Sequence, residues 1–326
     1  MNEKGKLISI VIPCYNEEEN VVAIASAIEQ EMQTSLSCYD YEIIFIDNDS
    51  KDNTRPLLRE LCGRRSRVRA ILNAKNFGQF NSPYYGMCQA NGDCVILMCC
   101  DFQDPVELLP TIVEKWEKGA KIVSCIKTAS KENSVMRAFR SIYYKTIRQM
   151  SSVDQIEHFT GFGLYDKSFV DVLRSLKDPT PFLRGIVAEL GFHRVNLSYT
   201  QAKRRAGHTH NNFFTLFDAA MLSFTSYTKV GVHLLTFIGI LMAVVSLCIA
   251  VVMLVMKLIY WDRYVAGIAP MLVGLFFLHA IELLFIGFVG EYVMAINTRV
   301  MNRPLVIESE RLNWPDAEQE TTDVKE

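Results

Sequence analysis

From Leu234 to Met256 the chain carries no Asp, Glu, Lys or Arg. A helix of that length and purity can cross a hydrocarbon core of about 30 Å, so this run limits the possible folds more than any other. A second apolar run, Val265 to Val289, is broken by His279 and Glu282 and follows the polar link around Tyr260–Tyr264. The pair predicts a membrane hairpin within 232–298, with transmembrane helices at about 233–258 and 265–290. A buried helix of a soluble core is the alternative reading of such a run.

A hairpin returns both ends of the chain to one side. Lys203–Arg205 and Lys229 precede it, Arg299 and Arg303 follow it, and only Asp262 and Arg263 are charged in the link. The bias of basic residues toward the cytoplasm then predicts a multi-pass protein of the inner (cytoplasmic) membrane, with both termini and the N-terminal domain cytoplasmic. The charged opening and the shortness of Leu7–Ile12 predict no signal peptide. Nine scattered cysteines, none in a CxxC pair, are expected to be free thiols of a reducing compartment. Of 34 basic and 36 acidic residues, two and seven fall from Val306 onward, so the remainder is mildly basic. Such a body suits an anionic leaflet, and no nucleic-acid partner is expected. The stretch 299–326 is expected to be an acidic cytoplasmic tail, solvated and partly disordered.

Residues 1–211 alternate strand-like and helix-like segments. Leu7–Ile12, Tyr41–Ile46, Val68–Leu72, Cys94–Met98 and Ile122–Ile126 read as strands, and a helical pattern runs to about Met32 after the first. This predicts an α/β domain with a mostly parallel sheet and helices on both faces. Ligands of such sheets bind at the carboxyl ends of strands. Asn16, Glu17, Asp47, Lys75, Asn76 and Asp101 all fall there. Between the domain and the hairpin, Phe213, Phe217, Met221 and Phe224 recur at helical spacing, predicting an amphipathic juxtamembrane helix over 212–231.

The strand-end carboxylates suit a nucleoside diphosphate accompanied by Mg²⁺ or Mn²⁺, which take hard oxygen ligands from one or two carboxylates and from phosphate. Asp101-Phe102-Gln103-Asp104-Pro105, directly after an apolar strand, offers such oxygens. Taken together, the segments Ile10–Glu18 (IVIPCYNEE), Ile46–Asp52 (IDNDSKD), Lys75–Gly78 (KNFG) and Asp101–Pro105 resemble those of glycosyltransferase family 2, of GT-A fold. His158–Asp166, Arg184-Gly185 and Arg204–Gly207 are weaker matches on the acceptor side. The branch most similar transfers sugars to polyprenyl phosphates, as bactoprenol glucosyltransferases and dolichyl-phosphate mannose synthases do.

The resemblance implies a Rossmann-like domain that binds a nucleotide sugar through Pro13, Tyr15, Asn16, Glu17, Asp47, Asn48, Lys75 and Gly78. It implies metal ligands at Asp101 and Gln103, catalytic roles for Asp101, Arg204 and Arg205, and an acceptor-phosphate site at Lys127, Arg137 and Arg140. The expected reaction is inverting transfer of a sugar, with UDP-glucose the first choice of donor, to polyprenyl (undecaprenyl) phosphate. Two-span relatives imply a homo-oligomer, with a tetramer among the options.

Three departures stand out. Asn48 and Asp49 replace an acid and a glycine of the turn, and Cys99 stands where the metal motif has its first acid. Gly161 takes a position where many relatives carry an acid proposed as base. A phosphate acceptor is already anionic near neutrality, with a second pKa of about 6, so it needs positioning more than deprotonation. Those losses keep open a non-catalytic nucleotide-sugar-binding scaffold. Gln201-x-x-Arg204-Arg205 keeps open a processive polysaccharide synthase, although the tryptophan of that motif is absent.

Overall fold

The computed structural model describes residues 5–129, 156, 158–176, 178–202, 204–205, 268–301 and 303–314, with isolated helical positions between 241 and 259. They fall into two units. The first comprises residues 1–140, 155–212 and 302–326, and the second 141–154 and 213–301.

The first unit is built on eight strands in the order β7-β5-β6-β4-β1-β2-β3-β8. They are β1 (Leu7–Cys14), β2 (Asp40–Asp47), β3 (Val68–Asn73), β4 (Cys94–Leu97), β5 (Ile122–Ala129), β6 (Phe159–Asp166), β7 (Arg194–Thr200) and β8 (Glu308–Leu312). Pairing is parallel between β1 and β2, β1 and β4, β2 and β3, and β5 and β7. Only β6 and β8 run against the others. This is a mixed α/β sheet, parallel through its centre as expected, and the carboxyl ends of β1–β5 all open on the same side.

The strands at the centre are apolar on both faces because both faces are covered. Ile8, Ile10 and Ile12 share a core with α1 (Val21–Thr34), α2 (Thr54–Arg64) and α4 (Leu109–Glu117). Val11, Ile44, Ile46 and Val95 point the other way, into a core with α3 (Gly78–Gln89), α5 (Lys167–Leu176) and α6 (Leu183–Glu189). Gly86 lets α3 lie close on this face: a Cβ there would stand 2.9 Å from Val11 Cγ1.

The sheet departs from expectation at its edges. Residues expected in a solvated tail form β8, which pairs antiparallel with β3 from Ala70↔Leu312 to Asn73↔Glu308. Glu308, Glu310 and Arg311 are the composition of an edge strand, where charge discourages further pairing. β6 and β7 were not legible as strands either.

Of the second unit, α7 (Ile268–Val300) is described along its length. His279 Nδ1 lies 3.8 Å from Glu282 Oε2 on it. Among the described residues no helix is long and apolar enough to cross a membrane, so the expected hairpin is not shown here. The juxtamembrane helix at 212–231 lies outside the described residues, as does most of the first expected span.

Candidate active site

The turns that follow β1, β2, β3 and β4 are tied into one assembly. After β1, Asn16 adopts φ +54°. Its N–H donates to Ser50 Oγ at 2.8 Å, and its Oδ1 accepts from the Lys51 N–H at 2.8 Å. The Glu17 N–H donates to Thr54 Oγ1 at 2.9 Å. Asp49 takes φ +67°, a left-handed geometry that aspartate tolerates better than most residues. The β1 turn is therefore braced against the β2 turn by side chains that cap each other's backbone. Pro13 occupies the penultimate position of β1, opposite Ile46, and Tyr15 follows half-buried.

Asp47 ends β2 and is fully covered. Its Oδ2 accepts from Arg55 Nε at 2.6 Å and from the Ser50 N–H at 3.2 Å. Its Oδ1 is buried without a donor among the described residues. An unsatisfied buried carboxylate oxygen is costly, and a ligand donor arriving as the covering side chains shift would relieve it.

Asn48 joins this turn to the next. Its amide donates to Asn76 Oδ1 at 2.9 Å and to the Gly78 carbonyl at 3.2 Å, while its Oδ1 accepts from the Phe77 N–H at 2.9 Å. Asn73, wholly buried, donates to Asn48 Oδ1 at 3.2 Å and to Ser82 Oγ at 3.1 Å. An aspartate at 48 could not donate, so the departure from the family turn has a structural use. Lys75 is exposed with its ammonium 5.1 Å from the Phe77 ring centroid, and Gly78 opens α3 at φ +88°.

Asp101 stands in the turn after β4. Its Oδ1 accepts from the Gln103 N–H at 3.1 Å, and its Oδ2 lies 3.3 Å from Arg204 Nε. The same guanidinium donates to Glu17 Oε1 at 2.5 Å, and Asn20 Nδ2 donates to Glu17 Oε2 at 2.6 Å. Burial pushes the Glu17 carboxyl up from its ordinary value, and Asn20 and Arg204 oppose part of that. Arg205 donates its N–H to the Asp101 carbonyl at 3.3 Å, and its guanidinium lies over the Phe102 ring.

Asp104 is buried and makes separate bonds. Its Oδ2 accepts from the Cys99 N–H at 2.9 Å and its Oδ1 from the Tyr199 hydroxyl at 2.8 Å. Burial raises its pKa despite those bonds. Cys99 reaches solvent but is crowded by protein. That crowding, with the charges of Asp104 and Asp101, pushes its thiol well up, so it stays a neutral thiol and a poor ligand for a hard cation.

Lys127, near the carboxyl end of β5, is half-buried. Burial lowers its pKa, with Asp104 and Cys99 opposing and Arg184 adding to the fall. Arg137 and Arg140 lie outside the described residues. Gly161 adopts φ +106°, a conformation that an acid would hold only under strain.

Among the described residues no cluster of three or more His, Cys, Asp or Glu could hold a metal unaided. The Asp101 carboxylate and the Gln103 amide oxygen, which accepts from Gln201 Nε2 at 2.6 Å, are hard donors in one turn, where the Gln103 N–H also donates to Asp101 Oδ1. The set fits a divalent cation that takes its remaining ligands from a diphosphate and water.

Arg55, Asn73, Tyr199 and Gln201 support the site from positions the sequence reading did not select as site residues. Arg55, Asn73 and Tyr199 gave no local signal, and Gln201 appeared only as the start of a short motif.

A mostly parallel sheet with carboxylates and an arginine gathered at its strand ends defines an α/β protein that binds its ligand at the carboxyl ends of its strands. The profile described as "Glycosyl transferase family 2" matches residues 9–173, and the chain belongs to that family. It is 30% identical over 301 residues to the SfII prophage-derived bactoprenol glucosyl transferase of Shigella flexneri, spanning 92% of this chain and 96% of that one. It is 29% identical over 301 residues to the prophage bactoprenol glucosyl transferase homolog of Escherichia coli K12, spanning 92% and 97%. A solved mannosyltransferase of Pyrobaculum calidifontis, in complex with GDP-Man and Mn²⁺, is similar at 15% identity and a TM-score of 0.45, over 63% of this chain and 59% of that one.

Proposed function

We propose that this transferase moves glucose from UDP-glucose to polyprenyl (undecaprenyl) phosphate with inversion, at a membrane and with Mg²⁺ or Mn²⁺. The observation that carries the reading is the meeting of Glu17, Asp101 and Arg204 at the strand ends, in a chain similar over nine-tenths of its length to proteins named bactoprenol glucosyl transferase. A membrane setting has support from α7. Met271, Phe277, Ile286 and Met294 are exposed by 74%, 61%, 60% and 64%. At 100° per residue they lie on every side of the helix, which suits surrounding lipid better than water. The inner (cytoplasmic) membrane, with the catalytic unit cytoplasmic, and a homo-oligomeric state belong to the same proposal.

In this reading Asp101 and Gln103 would hold a divalent cation, which would supply positive charge to the leaving diphosphate. The chain's own residues do the rest. The buried Asp47 oxygen and the Asn48–Asn76 bridge shape the side of the site that takes the nucleoside. Arg204 and Arg205 place positive charge where the leaving group gathers negative charge. Lys127, Arg137 and Arg140 hold the acceptor phosphate, already nucleophilic, in line with the anomeric carbon. Membrane anchorage confines the encounter with a lipid acceptor to two dimensions.

The test uses purified full-length protein in detergent with undecaprenyl phosphate, Mg²⁺ or Mn²⁺ and a panel of nucleotide sugars, beside Asp101→Asn. Glycolipid formed from UDP-glucose, and lost in the variant, is the expected result. Nucleotide binding without glycolipid from any donor would favour the non-catalytic scaffold.

A further inference from the structure

The segment 305–314 does more than finish the sheet: the Asn313 amide donates to the Arg65, Ser66 and Val68 carbonyls at the start of β3, and four other ties end on elements that carry donor-side residues. The Ile307 carbonyl accepts from the Ala74 N–H at 2.8 Å, at the root of the Lys75–Gly78 loop. Glu308 Oε1 accepts from the Tyr85 hydroxyl at 2.7 Å, on the helix that Gly78 opens. Ser309 Oγ donates to the Leu72 carbonyl at 2.8 Å, just before Asn73. Glu310 pairs with Arg59 at 2.7 Å. The Arg59 hydrogen bond, with the charges of Arg59 and of Arg55, the partner of Asp47, holds the Glu310 carboxyl below its ordinary value against slight burial. The register shifts between Leu72 and Asn73, so the pairing changes just where β3 gives way to the loop.

We propose that the C-terminal strand is a positioning element of the donor subsite, fixing the Ala74–Gly78 loop and the Asp47–Arg55 pair in the geometry that receives a nucleoside diphosphate. The inference rests on the donor reading given above. It adds a dependence of donor binding on residues far from the motifs, none of which touches the reacting atoms. A strand that served only to cover an edge would need pairing with β3 alone. The side-chain links reach instead α2, which carries Arg55, and α3, which Gly78 opens.

The experiment compares full-length wild type with the double variant Tyr85→Phe/Glu310→Ala, which leaves the strand pairing and every site residue in place. UDP and GDP are the binding probes, followed by titration calorimetry, with hydrogen exchange read at amides 74–78. Weaker nucleotide binding by roughly three- to tenfold, as the loss of one or two net hydrogen bonds implies, is expected. It should come with faster exchange in that loop and an unchanged KM for the lipid acceptor. A variant that melts at lower temperature but binds nucleotide as wild type does overturns the inference and leaves the donor reading standing. Wild type that binds neither nucleotide overturns both.

Discussion

Glu17 after β1 and Asp101 after β4 are held together by one cation: Arg204 donates to Glu17 at 2.5 Å and lies 3.3 Å from Asp101. Both acids are largely covered, with side chains 8% and 12% exposed. The Arg204 guanidinium is the positive charge that lies between the two carboxylates. Arg204→Ala is therefore expected to lower kcat/KM for glycolipid formation by at least about 10²-fold, the scale for losing one preorganised charge. Lysine should restore little, since it cannot serve two carboxylates with a planar fork. A fall of less than tenfold in a radiolabelled-sugar assay would remove Arg204 from the catalytic group.

Cys99→Asp should strengthen the cation site. An aspartate adds a hard, charged oxygen beside Asp101 where a neutral thiol now stands. Mn²⁺ affinity in the presence of UDP, read by electron paramagnetic resonance, is expected to rise roughly tenfold through the added ligand charge. No change would mean that position 99 does not face the cation.

Asn48→Asp should destabilise the domain. The substitution turns two donors, to Asn76 Oδ1 and the Gly78 carbonyl, into a carboxylate facing two acceptors. The cost is about 1–3 kcal/mol, and differential scanning calorimetry should show Tm lower by several degrees. An unchanged Tm would refute the bridging role, even though this variant restores the family's own residue.

Asp166 gives the fold an acid-sensitive anchor. Burial alone would raise its pKa, but bonds from Ser168, Trp116 and Lys121 outweigh that and bring it down to about 2. Its contribution is complete above the unfolded value of about 3.9 and disappears as pH falls through about 2. The Tm gap between wild type and Asp166→Asn should thus be wide at pH 5 and narrow markedly by about pH 2. A gap independent of pH would show that the carboxylate charge is not what matters.

The five strands that could be read from sequence were those buried on both faces, where an apolar run such as Leu7–Ile12 leaves little alternative. Their observed limits differ by only a few residues. β8 could not be read, because an edge strand is charged for reasons of solubility and its partner β3 is remote in the chain. β6, with two glycines, and β7, alternating at the opposite edge, also lack the apolar run. The motif turns stood out in sequence as polar residues after apolar strands, and the structure ties the turns after β1, β2, β3 and β4 together. What Asn48, Asp104 and Arg204 do there was not legible, because it depends on contacts such as Arg204 with Glu17, 187 positions apart.

The late position of β8 also sets an order of events during synthesis. Ser309, which bonds to Leu72, leaves the ribosome 237 residues after it. At about 5–20 residues per second, the open edge of β3 waits on the order of ten to fifty seconds for its partner. Residues 213–301 are made in that interval, so an apolar stretch emerges while the sheet is still unfinished. An unpaired edge is a template for wrong pairing. A message cut short before residue 308 would release a chain whose site motifs are all present and whose β3 edge is left unpaired.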